Sequence, residues 1–167
     1  GIALTACAPA SSPAPTTLSN DPAAVHERAL TLDTHLDTPL HFNRPGWSFA
    51  EEHRFAQDLS HVDLPRMRRG GLDGGFFVVY TPQGPLTADG YAAAARHALS
   101  RLDSVHRVTT QNAQQMALAT SAQDATRIAT AGKRIAFISI ENSFPLGESI
   151  SGLADYYVEY ELFAYMD

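Results

Sequence analysis

Two continuous apolar runs constrain the fold of this chain most strongly. They read GGFFVVYT at residues 74–81 and RIAFISIEN at residues 134–142. Runs of this kind are typical of strands in sheets that are covered on both faces. Between them, over residues 87–109, apolar residues recur every three or four positions, and this spacing predicts an amphipathic helix. The alternation of buried-type strands with helices predicts an α/β fold with a parallel sheet.

A third strand is predicted ahead of these two, over residues 31–37 of the segment LTLDTHLDTPLHF. Strand alternation would put one apolar set and one polar set on opposite faces: Leu30, Leu32, Thr34 and Leu36 against Thr31, Asp33, His35 and Asp37. Burying the polar face would cost several kcal/mol unless its groups are paired, hydrogen-bonded or bound to a cation. We therefore expect these polar groups to have a binding partner at the end of the strand.

Three shorter helices are predicted, over residues 21–30, 63–71 and 121–133. The second opens at Asp63 with Pro65 in its first turn. The third carries Ser121 and Asp124 as a capping box and stops at Gly132. The stretch between the first strand and Asp63 is predicted to be a long loop, and loops of that length are usually functional or act as lids.

Composition excludes several classes of protein. The chain of 167 residues is 44% hydrophobic and 18% charged, which favours a folded domain over a disordered one. Its net charge of -6 gives no support for a nucleic-acid partner, and the basic cluster RMRRGG is too short to change that. A single cysteine, Cys7, leaves no intrachain disulfide and no cysteine zinc ribbon.

The N-terminal segment GIALTACAPASSPAPTT resembles a bacterial lipoprotein signal, with Cys7 as the site of lipid attachment. Residues 1–20 are therefore interpreted as a signal remnant and an Ala/Pro/Ser linker, and residues 21–167 as the folded domain. Only six residues precede Cys7, so the leader is expected to be clipped. This interpretation predicts a lipid anchor in the bacterial envelope, with the domain facing the periplasm or the outside.

Three polar residues lie at predicted strand ends. His35 and Asp37 finish the first strand, and Glu141 finishes the strand at residues 134–142. Ligands of parallel β/α folds gather at the carboxyl ends of strands, and an imidazole with carboxylates can share one cation. Two plainer interpretations stay open on the residues alone: a His–Asp hydrogen bond, and a helix N-terminal acid at Glu141.

Three segments together resemble the membrane (renal) dipeptidase family of binuclear zinc peptidases. They are LDTHLDTP at residues 32–39, VDLPRMRRGGLDGGFFVVY at residues 62–80 and ISIENSFPLG at residues 138–147. The resemblance implies a (β/α)8 barrel in which His35 and Asp37 bind one zinc ion and Glu141 bridges to a second. It also implies a dipeptide substrate, hydrolysed by a hydroxide that bridges the two ions. Asp33 is left as a supporting residue that orients His35 or packs against a neighbouring strand.

The resemblance is incomplete. A (β/α)8 barrel takes about 250 residues, whereas three strands are predicted here, so the chain is interpreted as the N-terminal part of a barrel with about three β/α units. The family's remaining zinc ligands and substrate-binding residues belong to later strands, and the tail VEYELFAYMD departs from the family's pattern. Open sheet edges predict that this piece is weakly active or inactive alone.

The other histidines match none of the missing ligands. His41, His53 and His61 are predicted to be surface or loop residues, and His97 and His106 to be surface positions on a helix; His26 is likewise unassigned. Two other functions stay open: a non-catalytic envelope lipoprotein, and a related metal-dependent amidohydrolase acting on another amide or a lactone. The sequence is compatible with a monomer or a homodimer, and with zinc, manganese or cobalt.

Overall fold

The computed structural model of the chain describes residues 20–149, 151, 153, 154, 156 and 162–166. The strands are β1 Leu32–Leu36, β2 Gly74–Tyr80, β3 Met116–Leu118, β4 Arg134–Glu141 and β5 Leu162–Met166. The α-helices are α1 Pro22–Arg28, α2 Phe55–Asp58, α3 Leu64–Gly70, α4 Ala88–Gln111 and α5 Ala122–Thr130. Two 3₁₀ helices, Thr38–His41 and Phe144–Leu146, follow β1 and β4.

The strands form one parallel sheet with the order β1-β2-β4-β3, and β5 also pairs with β4. The pairing of β2 with β4 runs without interruption from Gly74↔Ile135 to Tyr80↔Glu141. Because β2 occupies one edge of β4, β3 and β5 share the other edge, β3 near the start of β4 and β5 near its end. The carboxyl ends of β1, β2 and β4 therefore lie at the same edge of the sheet.

Helices α4 and α5 cover opposite faces of β4. One core cluster contains Ala136, Ile138 and Ile140 of β4 together with Leu102 of α4 and with Phe77 and Val79 of β2. A second cluster contains Ile135 and Phe137 of β4 together with Ile128 of α5 and Phe76 of β2. Successive side chains of a strand point to opposite faces, so both faces of β4 are covered. This explains why β2 and β4 read as continuous apolar runs.

A bulge interrupts β1. Asp33 pairs with Gly75 and Leu36 with Phe77, so three residues of β1 advance while β2 advances by two. As a result Leu32 packs with the α5 cluster and Leu36 with the α4 cluster. The predicted placement of Leu32 and Leu36 on one face was therefore wrong, because the extra residue breaks the alternation.

Gly75 accommodates this bulge. A Cβ atom on Gly75 would lie 2.7 Å from the carbonyl oxygen of Asp33 and 2.6 Å from Cδ1 of Leu36. Real Cβ atoms do not approach other heavy atoms this closely, so a side chain at this position would push β1 away from β2. The glycine is required here by close approach between strands.

The predicted fold class is confirmed as an α/β fold with a parallel sheet, and the predicted helices are present. The caps at Asp63 and Ser121 are also present, each accepting a backbone N–H of its helix. The count of three strands was too low. β3 has only three residues, too few to show a period, and β5 lies in the tail that departs from the family's pattern. Cys7 and the linker up to residue 19 lie outside the described residues.

Among the described helices, none combines the length and the apolar character that crossing a membrane requires.

Substituting Gly75→Ala is expected to lower the free energy of unfolding by about 1–3 kcal/mol, the usual cost of forcing extra volume into packed structure. Chemical denaturation measures the change. Gly70→Ala is the matched control, because a Cβ at Gly70 would meet nothing within 4 Å at the end of α3; it is expected to be neutral or stabilising by up to about 1 kcal/mol. Equal effects of the two substitutions would contradict the role given to Gly75.

Candidate metal centre

The carboxyl ends of β1 and β4 bring three predicted ligands together. His35 is the fourth residue of β1, Asp37 follows the strand as the N-cap of the 3₁₀ helix, and Glu141 is the last residue of β4. One ligand atom from each residue can be chosen so that all three lie within 4.8 Å of one another. No other group of this kind is found among the described residues. We refer to these residues as the triad.

His35 lies between the two carboxylates. Its Nε2 atom is 3.4 Å from Oδ1 of Asp37 and 3.3 Å from Oε2 of Glu141. A charge-assisted N–H···O bond measures about 2.7–2.9 Å, so neither contact is a short hydrogen bond. The three side chains are also accessible, with exposed fractions of 43%, 56% and 33% for His35, Asp37 and Glu141. An ion could therefore enter without moving the fold.

The two separations measured from Nε2 of His35 fit a shared tetrahedral ion. Zinc binds imidazole nitrogen at about 2.0–2.1 Å and carboxylate oxygen at about 2.0–2.2 Å, and tetrahedral angles then separate neighbouring ligand atoms by about 3.3–3.5 Å. The observed separations of 3.4 and 3.3 Å agree. Calcium and magnesium prefer sites built from oxygen ligands alone. The imidazole therefore favours a transition-metal ion of the zinc type.

Side-chain hydrogen bonds fix the backbone beside His35 and Glu141. The carboxylate of Asp33 accepts a hydrogen bond of 2.8 Å from the backbone N–H of His35, across the bulge. Asn142, next to Glu141, adopts a left-handed backbone with φ 78° and donates from its side chain to the carbonyl of Thr81 at 2.9 Å. Asparagine tolerates this conformation better than most residues. The ends of β2 and β4 are thus tied together beside the triad.

Helix α4 fixes the segment that carries Asp37. Arg101 donates to the carbonyl of Pro39, and Arg107 donates to the carbonyl of Phe42 and to the side chain of Asn43. Burial lowers the pKa of Arg101 below its ordinary value. The guanidinium of Arg101 is partly buried, so the carbonyl of Pro39 replaces water as one of its partners and ties the 3₁₀ helix to α4.

The long loop after the 3₁₀ helix is ordered around Trp47. The indole stacks on His53 with ring centroids 4.5 Å apart and on His41 at 5.4 Å. His53 Nδ1 lies 2.6 Å from Asp58, and its Nε2 lies 2.8 Å from the carbonyl of Ser48. The exposed fraction is 8% for His41 and 12% for the side chain of His53. Both were predicted to be surface or loop residues. His53 does lie in the loop, but neither histidine is at the surface, because the aromatic stack buries them.

Asp58 is the polar centre of this loop. Its carboxylate accepts hydrogen bonds from the backbone N–H and the hydroxyl of Ser60 and from the indole N–H of Trp47. The hydrogen bonds from Ser60, followed by the contact with His53, hold the pKa of Asp58 well below its usual range. The loop is therefore fastened by a carboxylate that stays ionised.

Two clefts meet at the triad. The loop cleft, of about 330 Å³, is lined by Asp33, His35, Leu36, Asp37, Thr38, Leu40, His41, Leu59, His61 and Val62. The sheet cleft, also of about 330 Å³, is lined by His35, Asp37, Leu40, Tyr80 and Glu141. His35, Asp37 and Leu40 line both, so these residues form the ridge between the clefts.

The structure thus brings together His35, Asp37 and Glu141 as the sequence predicted, while their role as ligands stays a prediction. His61 and His97 are exposed, as predicted. Sequence reasoning missed the lining of the loop cleft, above all Leu59. Leucine in a loop carries no signal for a site, and its proximity to the triad arises only from the way the loop folds back.

Comparison with known proteins identifies a family. A family model described as membrane dipeptidase (peptidase family M19) matches residues 20–160. Dipeptidase ataJ from Aspergillus terreus is 30% identical over 100 residues, which make up 57% of this chain and 24% of that protein. The chain thus spans about a quarter of the length of this curated relative.

Solved structures show the same fold. The crystal structure of the probable dipeptidase PvdM from Pseudomonas aeruginosa has a TM-score of 0.69 and 25% sequence identity, and the match covers 80% of this chain and 33% of that one. The crystal structure of dipeptidase AC, described as a metallo peptidase of family M19, has a TM-score of 0.67 and 22% identity, with coverage of 81% and 41%. The chain therefore corresponds to part of these larger proteins.

The buried position of His41 predicts a pH effect on stability. Burial, followed by the nearby Arg44, lowers the pKa of His41 below its ordinary value of 6.5. Between the lowered pKa of the folded chain and the ordinary value of the unfolded chain, His41 therefore binds more protons in the unfolded chain. Protonation of His41 has no effect on stability above about pH 6.5 and destabilises the fold increasingly below it. The free energy of unfolding, measured by denaturation from pH 7.5 to 5, is expected to fall less in His41→Phe than in the wild type.

His97→Phe is the control, because His97 is exposed on α4. It should leave the pH dependence unchanged. The same pH dependence in His41→Phe and wild type would show that His41 is not the group responsible.

Proposed function

This chain belongs to the membrane dipeptidase family, peptidase family M19, and on this premise we propose that it is the metal-binding part of a dipeptidase that hydrolyses the amide bond of dipeptides. The observation that carries the proposal is the triad. An imidazole and two carboxylates meet at the carboxyl edge of the sheet, with separations that suit a shared ion. In parallel β/α folds this edge is where active sites lie.

We propose zinc as the ion. Its preference for imidazole and carboxylate in tetrahedral arrangement agrees with the triad. When bound, such an ion supplies Lewis acidity toward an amide carbonyl and makes water a nucleophile at neutral pH. His35 and Asp37 would hold it from β1 and the start of the 3₁₀ helix, and Glu141 from β4.

Glu141 suits the additional role of bridging to a second ion. One of its oxygens faces His35, and among the described residues no polar contact of its carboxylate with any other side chain is found. A carboxylate has two oxygens, so the second remains available on the side of the sheet cleft, which Glu141 lines with Tyr80. The resemblance to the family implies that a second ion would take its further ligands from later strands.

The two clefts suit a substrate of two residues. An amide at the ridge formed by His35, Asp37 and Leu40 would have one residue in the loop cleft and the other in the sheet cleft. Each cleft lies at the small end of the range for ligand sites, about 300–1,000 Å³, which favours a single amino-acid residue over a longer peptide. We also propose attachment to the bacterial envelope through Cys7, and weak activity for this chain by itself.

Zinc titration of the chain tests the metal site. The wild-type chain is expected to bind zinc, and His35→Ala and Glu141→Gln are each expected to weaken binding at least about tenfold, because each removes a donor atom from the ion. Isothermal titration calorimetry measures the affinity. His97→Ala, which removes an exposed imidazole of α4 that is not part of the triad, should bind zinc like the wild type.

Equal zinc affinity in His35→Ala and His97→Ala would exclude the triad as the metal site. A second measurement addresses the substrate: the dipeptide Ala-Ala should bind more tightly to the zinc-loaded chain than to the zinc-free chain. The same affinity in both states would contradict the placement of the amide at the metal.

A further inference from the structure

We propose that the loop cleft receives an uncharged, apolar side chain of the dipeptide, of about the size of leucine or phenylalanine. The inference rests on the proposed function, since it deepens that function by naming the class of substrate. It is carried by the lining of the loop cleft, by the backbone of Leu59 and by the continuity of the cleft with the triad.

The apolar part of the lining comes from two directions. Leu36 and Leu40 come from β1 and the 3₁₀ helix, and Leu59 and Val62 come from the far end of the loop. Leu40 and Leu59 are 40% and 62% exposed. Apolar surface that stays open to water beside a polar triad gains free energy when an apolar group covers it. A substrate side chain in the cleft would supply that cover.

Leu59 has an unusual backbone. It ends α2 in the left-handed conformation, with φ 64° and ψ 16°, which leucine rarely adopts. Its side chain is largely exposed, so packing within the described part of the chain does not compensate for this conformation. Strained residues of this kind cluster at ligand sites, where they aim a side chain. Here the left-handed residue that ends α2 contributes an apolar side chain to the lining of the loop cleft.

Apart from Asp33, His35 and Asp37, the lining of the loop cleft carries no carboxylate and no lysine or arginine. Its other polar members are Thr38, His41 and His61. His41 is buried by its stack on Trp47, and His61 packs against the half-exposed ring of Phe55, with centroids 4.7 Å apart. Phe55 thus extends the apolar surface behind His61. An acidic substrate side chain would lose water here without finding a lysine or arginine, so the cleft selects against it.

The position of the loop cleft relates it to the reaction. Asp33, His35 and Asp37 form one of its walls, so a group bound there is adjacent to the ion proposed at the triad. The other residue of the dipeptide would then occupy the sheet cleft beyond the ridge. Specificity for one side chain therefore arises from the loop, and the metal chemistry from the strand ends.

Two probes of nearly equal shape test the cleft without zinc: N-acetyl-leucinamide and N-acetyl-asparaginamide. Binding to the full chain is followed by NMR of the methyl groups of Leu59 and Val62. The leucine probe is expected to bind at least about fivefold more tightly, because its side chain buries apolar area in place of an amide. Leu59→Asn should abolish this preference. Leu86→Asn, at a leucine 69% exposed outside the cleft, should retain it.

The melting temperature separates lost binding from unfolding. Leu59→Asn should melt no lower than the wild type, because asparagine accepts the left-handed backbone. Equal binding of the two probes, or a preference that survives Leu59→Asn, would overturn the inference whether or not zinc binds. If the chain prefers the leucine probe but binds no zinc at the triad, the inference about the loop cleft stands and the proposed function is refuted.

Discussion

The bulge in β1, seated on Gly75, is the constraint on which the site depends. It adds one residue between Asp33 and Leu36 and so changes the face toward which β1 presents its last side chains. The unbroken pairing of β2 with β4 then fixes how far Glu141 extends at the same edge. Because a shift of one residue moves every side chain of a strand to the other face, the triad exists only in this register.

The loop after β1 gives the site its second half. Asp58 and the stack around Trp47 close the loop on itself, while Arg101 and Arg107 of α4 bind its first turn through backbone carbonyls. The loop is therefore held by its own side chains and by helix α4, and it carries apolar side chains beside the triad. Strand ends supply ligands for an ion, and the loop supplies a surface for substrate.

Much of this arrangement can be predicted from the sequence. The apolar runs of β2 and β4 indicate a parallel sheet because both of their faces are covered, and strand ends then point to His35, Asp37 and Glu141. The bulge could not be predicted, since alternation alone gives no sign of an extra residue. The burial of His41 and His53 depends on Trp47 folding back over them, and the left-handed Leu59 lacks the glycine or asparagine that usually marks such a position.

The central claim is that one ion is held jointly by β1, the 3₁₀ helix and β4. Crystals of the chain grown with zinc, with diffraction recorded on both sides of the zinc absorption edge, locate the ion directly. The account predicts an anomalous peak within bonding distance of His35 Nε2 and of carboxylate oxygens of Asp37 and Glu141. A peak elsewhere, for example between His53 and Asp58, with none at the triad, would contradict it.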